Sequence, residues 1–289
     1  MPPSQLALEV HQTRALTAAM LHQRQTEADR AELRRLAGWL SALVGNLAYV
    51  LADNPAAQIH LATAARLGTA VGENHLICWS LGAQAMVANT QQHFAEGLEL
   101  SLQALEYADT PLRRAQILAW CQLRSLAGLG DQHASEAAQI MARAQDEMAV
   151  DPDGDQPGRF GFDQPELRLH LAEVSLQLGD HASARTHAQT SQSMKTVGGP
   201  GWAAATLTLA RGEAARHRFG DAAALADEVL DACPPSSIRE TSRARLRDLD
   251  HDLFTTPTPA REARELRERI RALPALVAVG QLSDEPNGM

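Results

Sequence analysis

The feature that most constrains this chain is a turn that recurs five times in similar surroundings. The sites are LADNPAAQ around Asp53, TQQHFAEG around His93, GLGDQHAS around Asp131, QLGDHASA around Asp180 and RFGDAAAL around Asp221. Three hold a Gly-Asp pair, at 130–131, 179–180 and 220–221. Glycine can end one helix in the left-handed conformation, and aspartate can cap the next. Counting from the turn residue exposes a repeat. Eight residues before it stand Gly45, Ala85 and Ala172; four after it, Ala57, Gly97 and Ala184; eleven after it, Ala64, Ala104 and Ser191. Small residues at these places let two antiparallel helices approach closely, with Leu61 and Leu98 supplying bulk nearby. Leu123 and Glu213 stand where the third and fifth units should carry a small residue.

Composition agrees with helix. Hydrophobic residues make up 45% of the chain but aromatics only 4%, and the excess is Ala and Leu. The spacing predicts helix pairs at 36–71, 75–108, 111–149, 165–196 and 201–232, with a divergent sixth at 237–273. Residues 1–35 read as a leading helix, 150–165 as a loop break and 274–289 as a flexible tail. The pattern resembles the tetratricopeptide repeat, a helix-turn-helix unit of about 34 residues. Each unit leaves an apolar face that only a neighbouring unit can cover. The expectation is therefore an all-α chain, a tetratricopeptide-like α-solenoid of about five to six helix pairs within 36–273.

Three further stretches carry a second resemblance: RLAGWLSALVGNLAYVLAD at 35–53, GRFGF at 158–162, and VLDACPPSSIRETSRARLRDLDHDLF with the following PAREARELRERIRAL. From about Leu33 to Leu273 the chain resembles the sensor region of actinobacterial Xre-type helix-turn-helix transcriptional regulators. The resemblance implies a role in transcriptional regulation or specialised metabolism. Those regulators carry a DNA-binding domain ahead of the repeats. Here residues 1–35 form a single helix pattern, so direct nucleic-acid binding is not implied.

The tryptophans locate a candidate surface. In helical arrays of this kind the first helix of each pair lines the concave side. Trp39 and Trp79 each lie fourteen residues before their turn residues, and Trp120 lies eleven before Asp131, on the same helix face. Asn46, Met86, Arg124 and Glu173 each lie seven before a turn, and Tyr49 and Asn89 four before. The expected ligand-binding lining is thus Trp39, Asn46, Tyr49, Trp79, Met86, Asn89, Trp120, Arg124 and Glu173. Aromatic walls with a few amides and a guanidinium suit a peptide or a small hydrophobic ligand. For each tryptophan the competing reading is core filling between adjacent units.

Other features narrow the function. A net charge of −9 lacks the positive stripe that phosphate binding needs. Cys78, Cys121 and Cys233 make no disulfide framework and read as buried thiols in a cytoplasmic protein. No stretch approaches the length of a membrane span. The run Asp151-Pro-Asp153-Gly-Asp155 lacks the rest of a calcium loop and reads as an acidic turn. His75 lies three residues from Cys78, and His181 six from His187, without further ligands at zinc spacing, so no metal or cofactor is expected. Phe160 and Phe162 should fold the 151–165 loop back onto the array, where it could cover the groove. Arg239, Arg243 and Arg247 form a helical stripe expected to pair with Glu240, Asp248 and Asp250. The leading expectation is a non-catalytic sensor or adaptor that holds a peptide, a small molecule or a protein partner. A recruited enzyme using Glu173 or His170, and a homodimeric scaffold, are the alternatives.

Overall fold

A computed structural model describes residues 2–150, 158, 160–255 and 261–279. It is all-helical, and it divides into two units: residues 1–160 with 276–289, and residues 161–275.

The first unit holds α1 (Pro3–Leu21), α2 (Glu27–Val50), α3 (Asn54–Val71), α4 (Asn74–Thr90), α5 (Phe94–Leu105), α6 (Pro111–Ile117), a π-helical turn (Leu118–Gln122), α7 (Leu123–Leu129) and α8 (Ala134–Val150). The second holds α9 (Gln164–Gln177), α10 (His181–Ser193), α11 (Pro200–Ala215), α12 (Phe219–Ala232), α13 (Glu240–Leu253) and α14 (Arg261–Arg271). Consecutive helices pair: α2 with α3, α4 with α5, α6 and α7 with α8, α9 with α10, α11 with α12, and α13 with α14. Within each unit, alternate helices also meet, as α2 does α4 and α9 does α11.

One backbone device makes the turns. Two residues before each second helix, or one before its leading 3₁₀ turn, φ is positive: Ala52 (67°), Gln92 (62°), Gly130 (101°, with an extended ψ of −178°), Gly179 (78°) and His217 (61°). In four turns the next N–H reaches back five residues: Asp53 to Ala48 O, His93 to Ala88 O and Asp180 to Ser175 O at 2.9 Å, and Arg218 to Glu213 O at 3.0 Å. These bonds satisfy carbonyls that a helix end leaves orphaned. The Asp53 and Asp180 side chains then accept the N–H groups of Ala56 and Ser183, as caps do.

This device corrects the fifth unit. Its turn residue is Arg218, three residues before the expected Asp221, because Gly220-Asp221 lies inside the first turn of α12. Recounted from Arg218, the small positions are Ala210 and Ala222, with Val229 at the third, and all three are fully buried. Glu213 is no longer an exception to the repeat. In the third unit Leu123 comes directly after the π turn, which adds one residue and rotates the remainder of that helix by about 100°.

The small positions work as close contacts. A Cβ on Gly45 would stand 2.7 Å from the Leu61 side chain, and one on Gly97 would stand 2.3 Å from Asn89 Oδ1. The leading helix differs from expectation. It stops at Leu21 instead of running to 35, and α2 starts at Glu27, where the Thr26 hydroxyl accepts the Asp29 N–H at 3.1 Å. The end of the chain also differs, since Val279 is buried in the core of the first unit beside Leu276. Residues 280–289 lie outside the described residues. No described helix is long and apolar enough to cross a membrane.

Candidate aromatic site in the first unit

The aromatic cluster is built by glycines. A Cβ on Gly38, beside Trp39 in α2, would stand 2.4 Å from Leu76 Cδ2 of α4, so Leu76 would have to shift to admit any side chain there. Gly82 does the same for the π turn: its Cβ would meet Ile117 at 2.6 Å, Cys121 Sγ at 3.2 Å and the Trp120 ring at 3.4 Å. The Cys121 thiol donates to Gly82 O at 3.2 Å, fixing that approach. As a result Trp79 of α4 and Trp120 of the π turn lie 5.7 Å apart between ring centroids.

Phe160 completes the cluster. Its ring lies 4.9 Å from Trp39 and 4.7 Å from Trp79, edge-to-face with both at interplanar angles of 68° and 74°. Such T-shaped pairs match the positive ring edge to the negative ring face. His75, at the start of α4, stands 4.9 Å from Trp39. Burial, and then the Arg113 guanidinium, lower the His75 pKa; the Phe160 backbone acts the other way. Trp79 is 1% exposed, yet its Nε1–H has no hydrogen-bond partner among the described residues. An unmet donor this deep is costly.

The structure thus brings Trp39, Trp79 and Trp120 into one cluster, while the other expected lining residues scatter. Trp39 and Trp120 are half-buried at its edge. Met86 is buried among Cys78, Ala85, Ile117 and Cys121. Asn89 donates to Cys121 O at 3.2 Å and accepts from Ser125 Oγ at 2.9 Å, so its amide joins α4 to the π turn and α7. The Tyr49 hydroxyl bonds Thr90 Oγ1 at 3.0 Å. Asn46 and Arg124 are half-buried, and neither is free.

Glu173 belongs to the second unit. It pairs with Arg245 and lies 3.9 Å from His170 Nδ1; His170 Nε2 lies 3.9 Å from Glu166, which pairs with Lys195. Phe162 stacks on the His170 ring at 6.2 Å. The arginine stripe is partly repartnered. Arg247 does bind Glu240, but Asp248 binds Arg211 and Asp250 binds Arg267. The acidic run at 151–155 lies outside the described residues, as does most of the segment leading to Phe160.

His75 is the site residue that groove counting missed. It lies just beyond the glycine-ended turn at Gly72, and only its neighbour Trp79 one helical turn on gives it away. No protein-family model matches the sequence, and a search of curated proteins returns no match.

Proposed function

We propose that this chain is a non-catalytic, tetratricopeptide-like α-solenoid protein that binds a peptide or small hydrophobic ligand at the Trp39–Trp79–Trp120 cluster. The observation that carries the reading is Trp79: a fully buried indole, facing other aromatic rings, with its N–H unmet. Burying such a donor without a partner stabilises nothing in the fold by itself, whereas a ligand acceptor would satisfy it. The repeated hairpins, the left-handed turn device and the small buried positions support the solenoid reading. Together with the resemblance to regulator sensor regions, they support a sensor or adaptor in transcriptional regulation or specialised metabolism. Glu173 is paired with Arg245, and we assign it a structural role in place of a catalytic one.

Native mass spectrometry of the protein purified from its own host tests the proposal. A discrete adduct that Trp79→Ala loses, while Trp202→Phe keeps it, is the expected result. An adduct retained in full by folded Trp79→Ala would move the site elsewhere and refute the assignment.

A further inference from the structure

We infer that the aromatic site receives a phenylalanine side chain from a partner peptide, and that the chain's own Phe160 occupies it as an internal competitor. The inference rests on the binding reading above and names both its ligand class and its control.

The present occupant is itself a phenylalanine on a peptide. Its ring meets Trp39 and Trp79 edge-to-face. The indole faces therefore already accept a phenylalanine ring carried on a peptide backbone. The occupant does not complete the site, because a benzene ring offers the Trp79 Nε1–H no strong acceptor. A partner peptide that places its phenylalanine similarly and brings a carbonyl to Trp79 would bind better than Phe160 does.

Two observations bear on its release. Phe160 is only partly buried, at the margin of the core cluster, as Trp39 and Trp120 are. It also lies outside every helix, between the end of α8 at Val150 and the start of α9 at Gln164, so its departure breaks no helical hydrogen bond.

A site filled by its own chain binds outsiders with an affinity reduced by the fraction of open molecules. Removing the competitor should raise affinity by about 30-fold, equivalent to about 2 kcal/mol at about 1.4 kcal/mol per tenfold. The probe is a synthetic peptide copying residues 158–163, Gly-Arg-Phe-Gly-Phe-Asp, with a control in which alanine replaces its first phenylalanine. Binding to the full chain, to Phe160→Ala and to Phe160→Leu is read from the indole N–H resonances of the four tryptophans in ¹⁵N-labelled protein. Phe160→Leu keeps apolar bulk in case the alanine variant folds poorly. The expected result is weak binding to the parent, about 30-fold tighter binding to Phe160→Ala and an intermediate gain for Phe160→Leu. The Trp79 signal should move and the Trp202 signal should stay.

Equal affinity for all three proteins, with the Trp79 signal moving, would overturn the competitor and leave the binding site standing. Toluene binding to Phe160→Ala without peptide binding would reveal a mere emptied cavity and overturn the inference. No peptide binding to folded variants, with an adduct still seen by native mass spectrometry, would overturn the peptide ligand alone; absence of both would remove the binding reading too.

Discussion

Replacing Asn89 tests whether that amide holds the fold or serves the ligand. It is 8% exposed, donates to Cys121 O at 3.2 Å and accepts from Ser125 Oγ at 2.9 Å. Ser125 Oγ also donates to Cys121 O at 3.2 Å, so Asn89→Ala leaves the hydroxyl and the carbonyl each one partner. The loss should be about 1–2 kcal/mol, the usual size for a buried hydrogen bond with some desolvation. Asn89→Asp should be worse at neutral pH. Its second oxygen would face the Cys121 carbonyl as acceptor against acceptor, in a charged group with one donor. A cost of about 3 kcal/mol is reasonable for that arrangement. The same energy raises the new carboxyl's folded pKa by about two units above the unfolded value of about 3.9. The penalty is therefore full above about pH 6 and is lost progressively as pH falls from there to about 3.9, as the carboxyl gains the proton it donates to Cys121 O. Urea unfolding followed by tryptophan emission reports mainly on the first unit, which holds Trp39, Trp79 and Trp120. The reasoning fails if Asn89→Asp is no less stable than Asn89→Ala at pH 7, or if the gap does not narrow between pH 7 and pH 5.

Gly97→Ala should cost about 1–3 kcal/mol, since its Cβ would stand 2.3 Å from Asn89 Oδ1 and 2.9 Å from Ser125 Oγ; thermal unfolding measures this, and an unchanged midpoint would show that α5 can move aside. His60 hydrogen-bonds Arg14 at 2.9 Å, and burial, then Arg14 and His11, push its pKa down to about 4. Between about 6.5 and about 4 the unfolded chain binds the extra proton, so stability should fall as pH falls across that window, and His60→Gln should flatten the slope in urea titrations. Burial pushes the Cys78 thiol up to about 12 and also raises Cys121 and Cys233. Ellman's reagent at pH 8 should therefore label all three slowly in the folded protein and rapidly in urea.

The helix pairs were legible because the repeat is written in small residues, and a missing side chain is a local, unambiguous signal. Ala57, Ala64, Ala104 and Ala184 are all essentially buried where counting from the turn puts them. The turns were less legible, because their defining feature is a backbone angle. Ala52, Gln92 and His217 adopt the left-handed conformation without being glycine, while Gly220, in a Gly-Asp pair, sits within a helix. The fifth unit was misaligned for that reason. The first break was missed because Thr26 caps α2 inside a run of charged residues that carries no hydrophobic period to interrupt. The π turn is invisible to any count that assumes a constant rise, yet it presents Trp120 to Trp79.

The candidate site shows the limit of counting more sharply. Trp39 and Trp79, each fourteen residues before its turn residue, share a neighbour in Phe160, and Trp79 lies in the buried core cluster. The same count from Asp180 and Arg218 gives Glu166 and Ala204 in the second unit, where Glu166 pairs with Lys195. The repeat thus fixes where a side chain stands and leaves its chemistry free. Small buried positions recur in both units because helices must touch; the position fourteen before the turn is buried at Trp79, Ile117 and Ala204, yet it varies in size and chemistry. The unmet Nε1–H of Trp79, set among aromatic rings, is the physical reason to look for a ligand there first.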